Sequence, residues 1–267
     1  MHPEAARVGT ELADAIAAAL GQDLVGLVLH GSAVLGDFAP HRSDLDLLAA
    51  LRSDPDEQVL ARLAALHQRF DRSHPHWAGR IEVEYVALDL LTGVDPSRRF
   101  ARVSPGESLH LVPASDHYLL NRASARNGVA LIGPAPHALV PEVPPVTVRA
   151  VVRRHVEQWP EWVRENEAPG FLAYAVLTLC RARLLLEHDR RGSKHESALQ
   201  AEAELPEHAD LVRWADRWWY DDGTDDGGAP RAAVLAFVDE QARELLAAHP
   251  APSSPFADPE ELGDTPA

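Results

Sequence analysis

The chain has 267 residues, 46% of them apolar, which is enough for two domains of ordinary size with cores of their own. A formal charge of −16 speaks against nucleic acid as the main partner, because a phosphate backbone needs a basic surface, whereas an acidic surface attracts polycations. The single cysteine, Cys180, excludes an internal disulfide and suits the cytoplasm. No apolar run approaches a membrane span, and the first residues carry no basic stretch ahead of an apolar core, so neither a membrane segment nor a secretory signal is expected.

In chain order, residues 4–20 place Val8, Leu12, Ile16 and Leu20 at helical spacing. Leu24 to Leu29 is nearly all apolar, as in a strand buried on both faces. A second strand is expected over 45–51, a second helix over 56–71, and a third strand over the alternating run Arg80–Leu88. Residues 115–130 read as another helix, ending near Gly128. The proline-rich stretch from Pro134 to Pro145 marks a domain boundary. Helices are expected beyond it over 147–166 (disturbed at Pro160), 171–188, 194–204, 207–219 and 230–247. The division is thus 1–140, 146–249 and an acidic, proline-rich tail over 250–267 that reads as disordered.

Chemistry concentrates at His30-Gly31-Ser32 and Ser43-Asp44-Leu45-Asp46. On a strand, side chains two apart share a face, so Asp44 and Asp46 point together. Paired carboxylates repel unless a cation lies between them, and Mg2+ favours carboxylate oxygens together with substrate phosphates. Gly31 lets a phosphate approach the backbone and Ser32 adds a hydroxyl donor. Ser43 either adds a second hydroxyl or shapes the turn into the strand. Glu82 and Glu84 lie on one face of the third strand. His74 and His76 have no partner pair with metal-ligand spacing and read as surface residues, while Cys180 reads as a small buried hydrophobe.

Gly-Ser followed by Asp-x-Asp on the next strand resembles the nucleotidyltransferase superfamily related to DNA polymerase beta, and within it the aminoglycoside O-nucleotidyltransferases of the 3''/9-adenylyltransferase type. That resemblance implies an α/β nucleotidyltransferase domain, a small mixed sheet with flanking helices, followed by an all-α helical bundle. It also implies transfer of AMP from ATP, with two Mg2+, to a hydroxyl of an aminoglycoside or aminocyclitol. Asp44, Asp46 and Glu82 would hold metal, and Glu82 would be the general base, with Glu84 its outward neighbour. The expected setting is a cytoplasmic monomer that binds a polycationic small molecule, with no nucleic acid and no membrane.

The resemblance continues in the second half. Tyr174-Ala175-Val176-Leu177-Thr178-Leu179-Cys180-Arg181 is similar to the family's Val-Leu-Thr-Leu-x-Arg helix, which implies a phosphate contact for Arg181. Ser193-Lys194 matches a Ser-Lys pair, and Lys194 is the chain's single lysine. Counting on from Leu205-Pro206-Glu207 places Tyr220 at the adenine-stacking tyrosine. Trp162 and Glu167 fall on acceptor-binding positions; Phe171 replaces a second acidic one, and the family's first-domain tryptophan has no counterpart between Arg98 and Asn121. The alternatives are a transferase that AMPylates proteins and a nucleotide-binding regulator without catalysis.

Overall fold

A computed structural model describes residues 2–95, 97–115, 118–221, 223–224 and 228–251. The expected disordered tail lies outside the described residues from 252 onward. Helix α1 (Pro3–Leu20) carries its proline in the first turn, where no intrahelical N–H is needed, and buries Val8, Leu12, Ile16 and Leu20. Strand β1 (Leu24–His30) runs into a one-turn helix α2 (Ser32–Leu35), followed by β2 (Leu45–Leu51). Asp56 caps α3 (Glu57–Ser73) by accepting a hydrogen bond from Val59 N at 2.8 Å, and β3 (Ile81–Ala87) follows.

The next segment departs from expectation. In place of one helix over 115–130, α4 covers only Tyr118–Ala125 and β6 covers Val129–Ile132. Gly128 lies so close to Leu29 O of β1 that a side chain would collide, and this tight passage brings β6 alongside β1. Two more strands, β4 (Arg99–Val103) and β5 (His110–Pro113), form a hairpin, with Glu107 N donating to Ser104 O at 2.9 Å in the turn. Arg99 and Arg102 interrupt the apolar pattern by which the sequence would have announced β4.

The six strands run in the order β5-β4-β3-β2-β1-β6. Only β2 and β3 are parallel. Alternation assigns the two faces. Leu27, Leu29, Leu45, Leu47, Ile81, Val83 and Tyr85 pack against α1 and α3. Val28, Leu48, Ala50 and Val86 pack on the other face with Tyr118 and Leu119 of α4.

That second face is completed from the helical half. Short α5 (Pro136–Leu139) leads to α6 (Pro145–Arg164), α7 (Pro169–His188), α8 (Lys194–Glu204), α9 (Ala209–Tyr220) and α10 (Arg231–Ala248). Val148 and Val151 of α6 and Leu185 of α7 join the core of the sheet, so α6 belongs to both halves. Helix α6 contains Pro160 within its span, as expected, and runs on to Arg164. The guanidinium of Arg164 donates to the Pro160 carbonyl. Helix α7 is long and apolar enough to cross a membrane by length and composition, which the reading of apolar runs did not register. Here Leu172, Val176, Leu179 and Cys180 form the centre of the bundle with Phe237, Val238 and Leu245 of α10.

Candidate active site

The site begins where β1 ends. Gly31 has φ 67° and ψ −150°, a backbone region essentially reserved for glycine. A Cβ there would run into the Asp46 carboxylate, lying 2.9 Å from Cγ and closer still to Oδ2. The glycine therefore makes room for the aspartate. Asp46 and Glu82 are register partners on the parallel strands β2 and β3, and they share the face turned toward α4 and α6. Asp44 sits immediately before β2. Burial and then the nearby Glu82 push the Asp44 carboxyl up to about 6, and the same two causes, with Asp44 added, raise Asp46 well above the carboxylate range. Among the described residues no donor hydrogen-bonds to either aspartate. Asp46 and Glu82 on one face, with Asp44 just before the strand, offer oxygen donors of the kind a hard divalent cation takes, although their donor atoms are not gathered as closely as those of a formed site.

Glu82 is held differently. Its Oε1 accepts from Arg102 Nη2 at 3.0 Å and from Asn121 Nδ2 at 2.8 Å. The second Asn121 donor contact is to Glu84 Oε1 at 2.9 Å. Glu84 is not the outward neighbour expected of it. It is 1% exposed in an interior strand, covered by α4, and burial raises its carboxyl to about 7. Arg102 and Asn121 escaped sequence reasoning. Arg102 is the β4 register partner of Glu84, so recognising β4 would have found it.

Cations come from the helical half. Ser193 and Glu196 form a reciprocal capping box that starts α8 at Lys194. The Lys194 Nζ lies 4.3 Å from the Trp219 ring centroid and 5.6 Å from that of Tyr174. Burial and then Arg181 push this amine down to about 8, while Asp46, Asp37 and Asp44 act in the opposite sense. Arg181, exposed on α7, is thus near Lys194; burial and then Arg181 also lower Arg191, a third cation without a sequence motif to mark it.

Asp37 ties this cluster to the first half: it accepts from Lys194 N at 3.1 Å and from Tyr220 Oη at 2.8 Å. Tyr220 also meets His195 edge-on, with centroids 5.6 Å apart. Ser32 opens α2 beside Gly31. Of the two roles left open for Ser43, the geometry shows loop shaping, since its buried hydroxyl accepts from Ala39 N at 2.9 Å.

A cavity of about 540 Å³ has in its wall Arg102, the residue that donates to Glu82. The wall also includes Phe100 and Tyr118 from the sheet half and Trp162, His155 and Gln158 from α6. Trp162, a residue singled out from the sequence, therefore lines this cavity. Glu167 does not line this cavity; its side chain is 84% exposed, 3.8 Å from Arg231. Phe171 packs on Trp159 with centroids 5.7 Å apart. One histidine does join a ligand-like set. Glu207, His208 and Glu240 hold their donor atoms within 4.8 Å of one another, and a His208–Glu240 pair at 3.2 Å already accounts for that closeness.

Residues 138–244 match the family model described as "Aminoglycoside adenylyltransferase, C-terminal domain". Among solved structures, the spectinomycin adenyltransferase AAD(9) from Enterococcus faecialis, crystallised with ATP and spectinomycin, is similar to this chain with a TM-score of 0.71 and 16% identity. The similarity covers 87% of this chain and 97% of that one. A search of the curated proteins finds no match. The chain therefore shares the fold of that structure: a mixed sheet with flanking helices followed by a helical domain.

Proposed function

From the match of residues 138–244 to the family model "Aminoglycoside adenylyltransferase, C-terminal domain", we propose that the chain transfers AMP from ATP to a hydroxyl of an aminoglycoside or aminocyclitol and releases pyrophosphate. The observation that carries this reading is the pairing of Asp46 with Glu82 on the sheet face that the cationic helical half covers. The similar AAD(9) structure holds ATP and spectinomycin, which supports the donor and the acceptor class.

The chain's own residues divide the work. Gly31 and Ser32 offer backbone and hydroxyl to the triphosphate from the first half. Lys194 and Arg181 face it from the second, where a cation opposes the charge that develops on the departing pyrophosphate. Tyr220 closes the same edge. Asp44, Asp46 and Glu82 would hold Mg2+, which supplies charge neutralisation between the carboxylates and the phosphates. Glu82, oriented by Arg102 and Asn121, takes the proton of the acceptor hydroxyl. The hydroxyl oxygen bonds to the α-phosphorus in line as the bond to the pyrophosphate oxygen breaks. Trp162 supplies an aromatic wall for the acceptor. Glu167, well exposed, serves as a peripheral contact for an acceptor amine.

The test is pyrophosphate release with ATP, Mg2+ and a panel of aminoglycosides and aminocyclitols, with mass spectrometry of the acceptor. The expected product carries one added AMP, and Glu82→Gln should slow turnover about 10²–10⁴-fold. AMP found on protein with no small molecule modified would favour the AMPylating alternative, and no transfer at all would overturn the reading.

A further inference from the structure

We propose that Asn121 is the positioning residue of the general base and that buried Glu84 is its anchor, an assignment that rests on the transfer reading above. A glutamate on a strand has three side-chain torsions, and its oxygens wander unless something fixes them. Here one oxygen is fixed and the other is left. Glu82 Oε1 receives donors from Arg102 and Asn121, whereas no described residue donates to Oε2. Oε2 is therefore the oxygen with lone pairs available to a hydroxyl proton.

The orientation of the Asn121 amide follows from chemistry. Its two contacts at 2.8 and 2.9 Å are both to carboxylates, so the NH2 group, and not the carbonyl oxygen, must face them. Spending both N–H bonds this way locks the amide between Glu82 and Glu84. Glu84 is a costly residue to keep in this place. It lies in an interior strand, 1% exposed, and its Oε2 has no partner. Packing alone would be better served by leucine. As an anchor for the amide, the oxygen has a use that leucine cannot provide. The residues around Asn121 hold α4 still: Arg122 donates to Leu91 O, and Arg191 from the helical half donates to Ala123 O at 3.2 Å.

The experiment compares four variants with wild type by kcat, by KM for ATP and by melting temperature. Asn121→Leu removes the donors, and Glu84→Leu removes the anchor; each should lower kcat at least tenfold, toward the 10²-fold scale of a misplaced catalytic group, with KM for ATP changed less than threefold. Glu84→Gln keeps an acceptor oxygen for Asn121 and should restore kcat to within threefold of wild type. Asn121→Asp combined with Glu84→Gln keeps the charge count but offers Glu82 no amide donor, and should stay slow. Wild-type kcat in Asn121→Leu or Glu84→Leu overturns the assignment. So does recovery in the exchanged pair, which would make charge the operative property. A slow Glu84→Gln would make Glu84 itself the reacting carboxylate and overturn it too. A wild type that releases no pyrophosphate overturns the transfer reading together with this role; a wild type that turns over beside an unimpaired Asn121→Leu overturns this role alone.

Discussion

Replacing Gly31 with alanine separates two consequences of one methyl group. The first is conformational: φ 67° with ψ −150° costs a non-glycine residue about 1–3 kcal/mol. For a protein of this size that lowers the melting temperature by about 2–12 °C. The second is local. The new Cβ would lie 2.9 Å from Asp46 Cγ and closer to Oδ2, so the carboxylate must move away from its place opposite Glu82. A displacement on the order of 1 Å at a catalytic group costs about 10²-fold in rate. Gly36→Ala is the matched control. Gly36 has φ 80° and ψ 15°, strained for alanine to a similar degree, but a Cβ there meets nothing within 4 Å. Both variants should melt earlier, and only Gly31→Ala should lose transfer, read as pyrophosphate release under saturating ATP and acceptor. Equal rates in the two variants would refute the claim that Gly31 is there to seat Asp46.

Two further outcomes follow from the buried charges. Magnesium ATP at about one hundred times its Kd stabilises a binding-competent fold by about 2.7 kcal/mol. Lys194→Ala removes a charge-assisted contact worth about 1.5–3 kcal/mol, so its thermal shift at the same ligand concentration should fall to half or less; an unchanged shift would place Lys194 away from the triphosphate. His67 is buried against the Tyr85 hydroxyl at 2.7 Å, and burial pushes its imidazole down to about 4 from 6.5. The unfolded chain then binds more protons between those values, so His67 contributes stability above pH 6.5 that is lost as pH falls through the window toward 4, by about 3 kcal/mol in all. His67→Gln, which keeps a polar partner for Tyr85, should flatten that acid limb in melting curves taken from pH 7 to pH 4, and an unaltered limb would exclude His67 as its source.

Much of the site was legible because strand periodicity reports on which residues share a face. Asp46, Glu82 and Glu84 do share one, as alternation required. Alternation says nothing about what covers the face. Glu84 was read as outward because nothing local shows that α4 closes over it, and that closure is a long-range contact. Arg102 was hidden for a related reason: it reaches Glu82 only across a β3–β4 pairing whose strand is broken by arginines. Motif resemblance located Lys194 and Arg181 near the acidic face because helix starts leave local marks, here the Ser193–Glu196 box. Tyr220 was found by counting, whereas Asp37, which accepts from its hydroxyl, has no local signal of its own. Glu167 lies outside the cavity wall, on the loop between α6 and α7, whose direction linear spacing does not set. The proposed boundary at the proline-rich stretch marks a change of architecture, whereas the apolar core crosses it through Val148 and Val151.

The charge pattern links these observations to the proposed reaction. The sheet half contributes carboxylates to the site, and the helical half contributes Lys194, Arg181 and Arg191. If the two sets simply neutralised each other, Asp44 would lie below the ordinary carboxylate range and Lys194 above the ordinary amine range. Both lie on the opposite side, at about 6 and about 8. Burial and like-charge neighbours outweigh the mutual attraction, so the two sets are too far apart or too desolvated to satisfy each other. A ligand that suits this arrangement must bring positive charge to the carboxylates and negative charge to the amine and guanidinium groups. A metal-bound polyphosphate carries both in the required order. The halves that carry the two sets also share one apolar core, through Val148 and Val151 of α6 and Leu185 of α7.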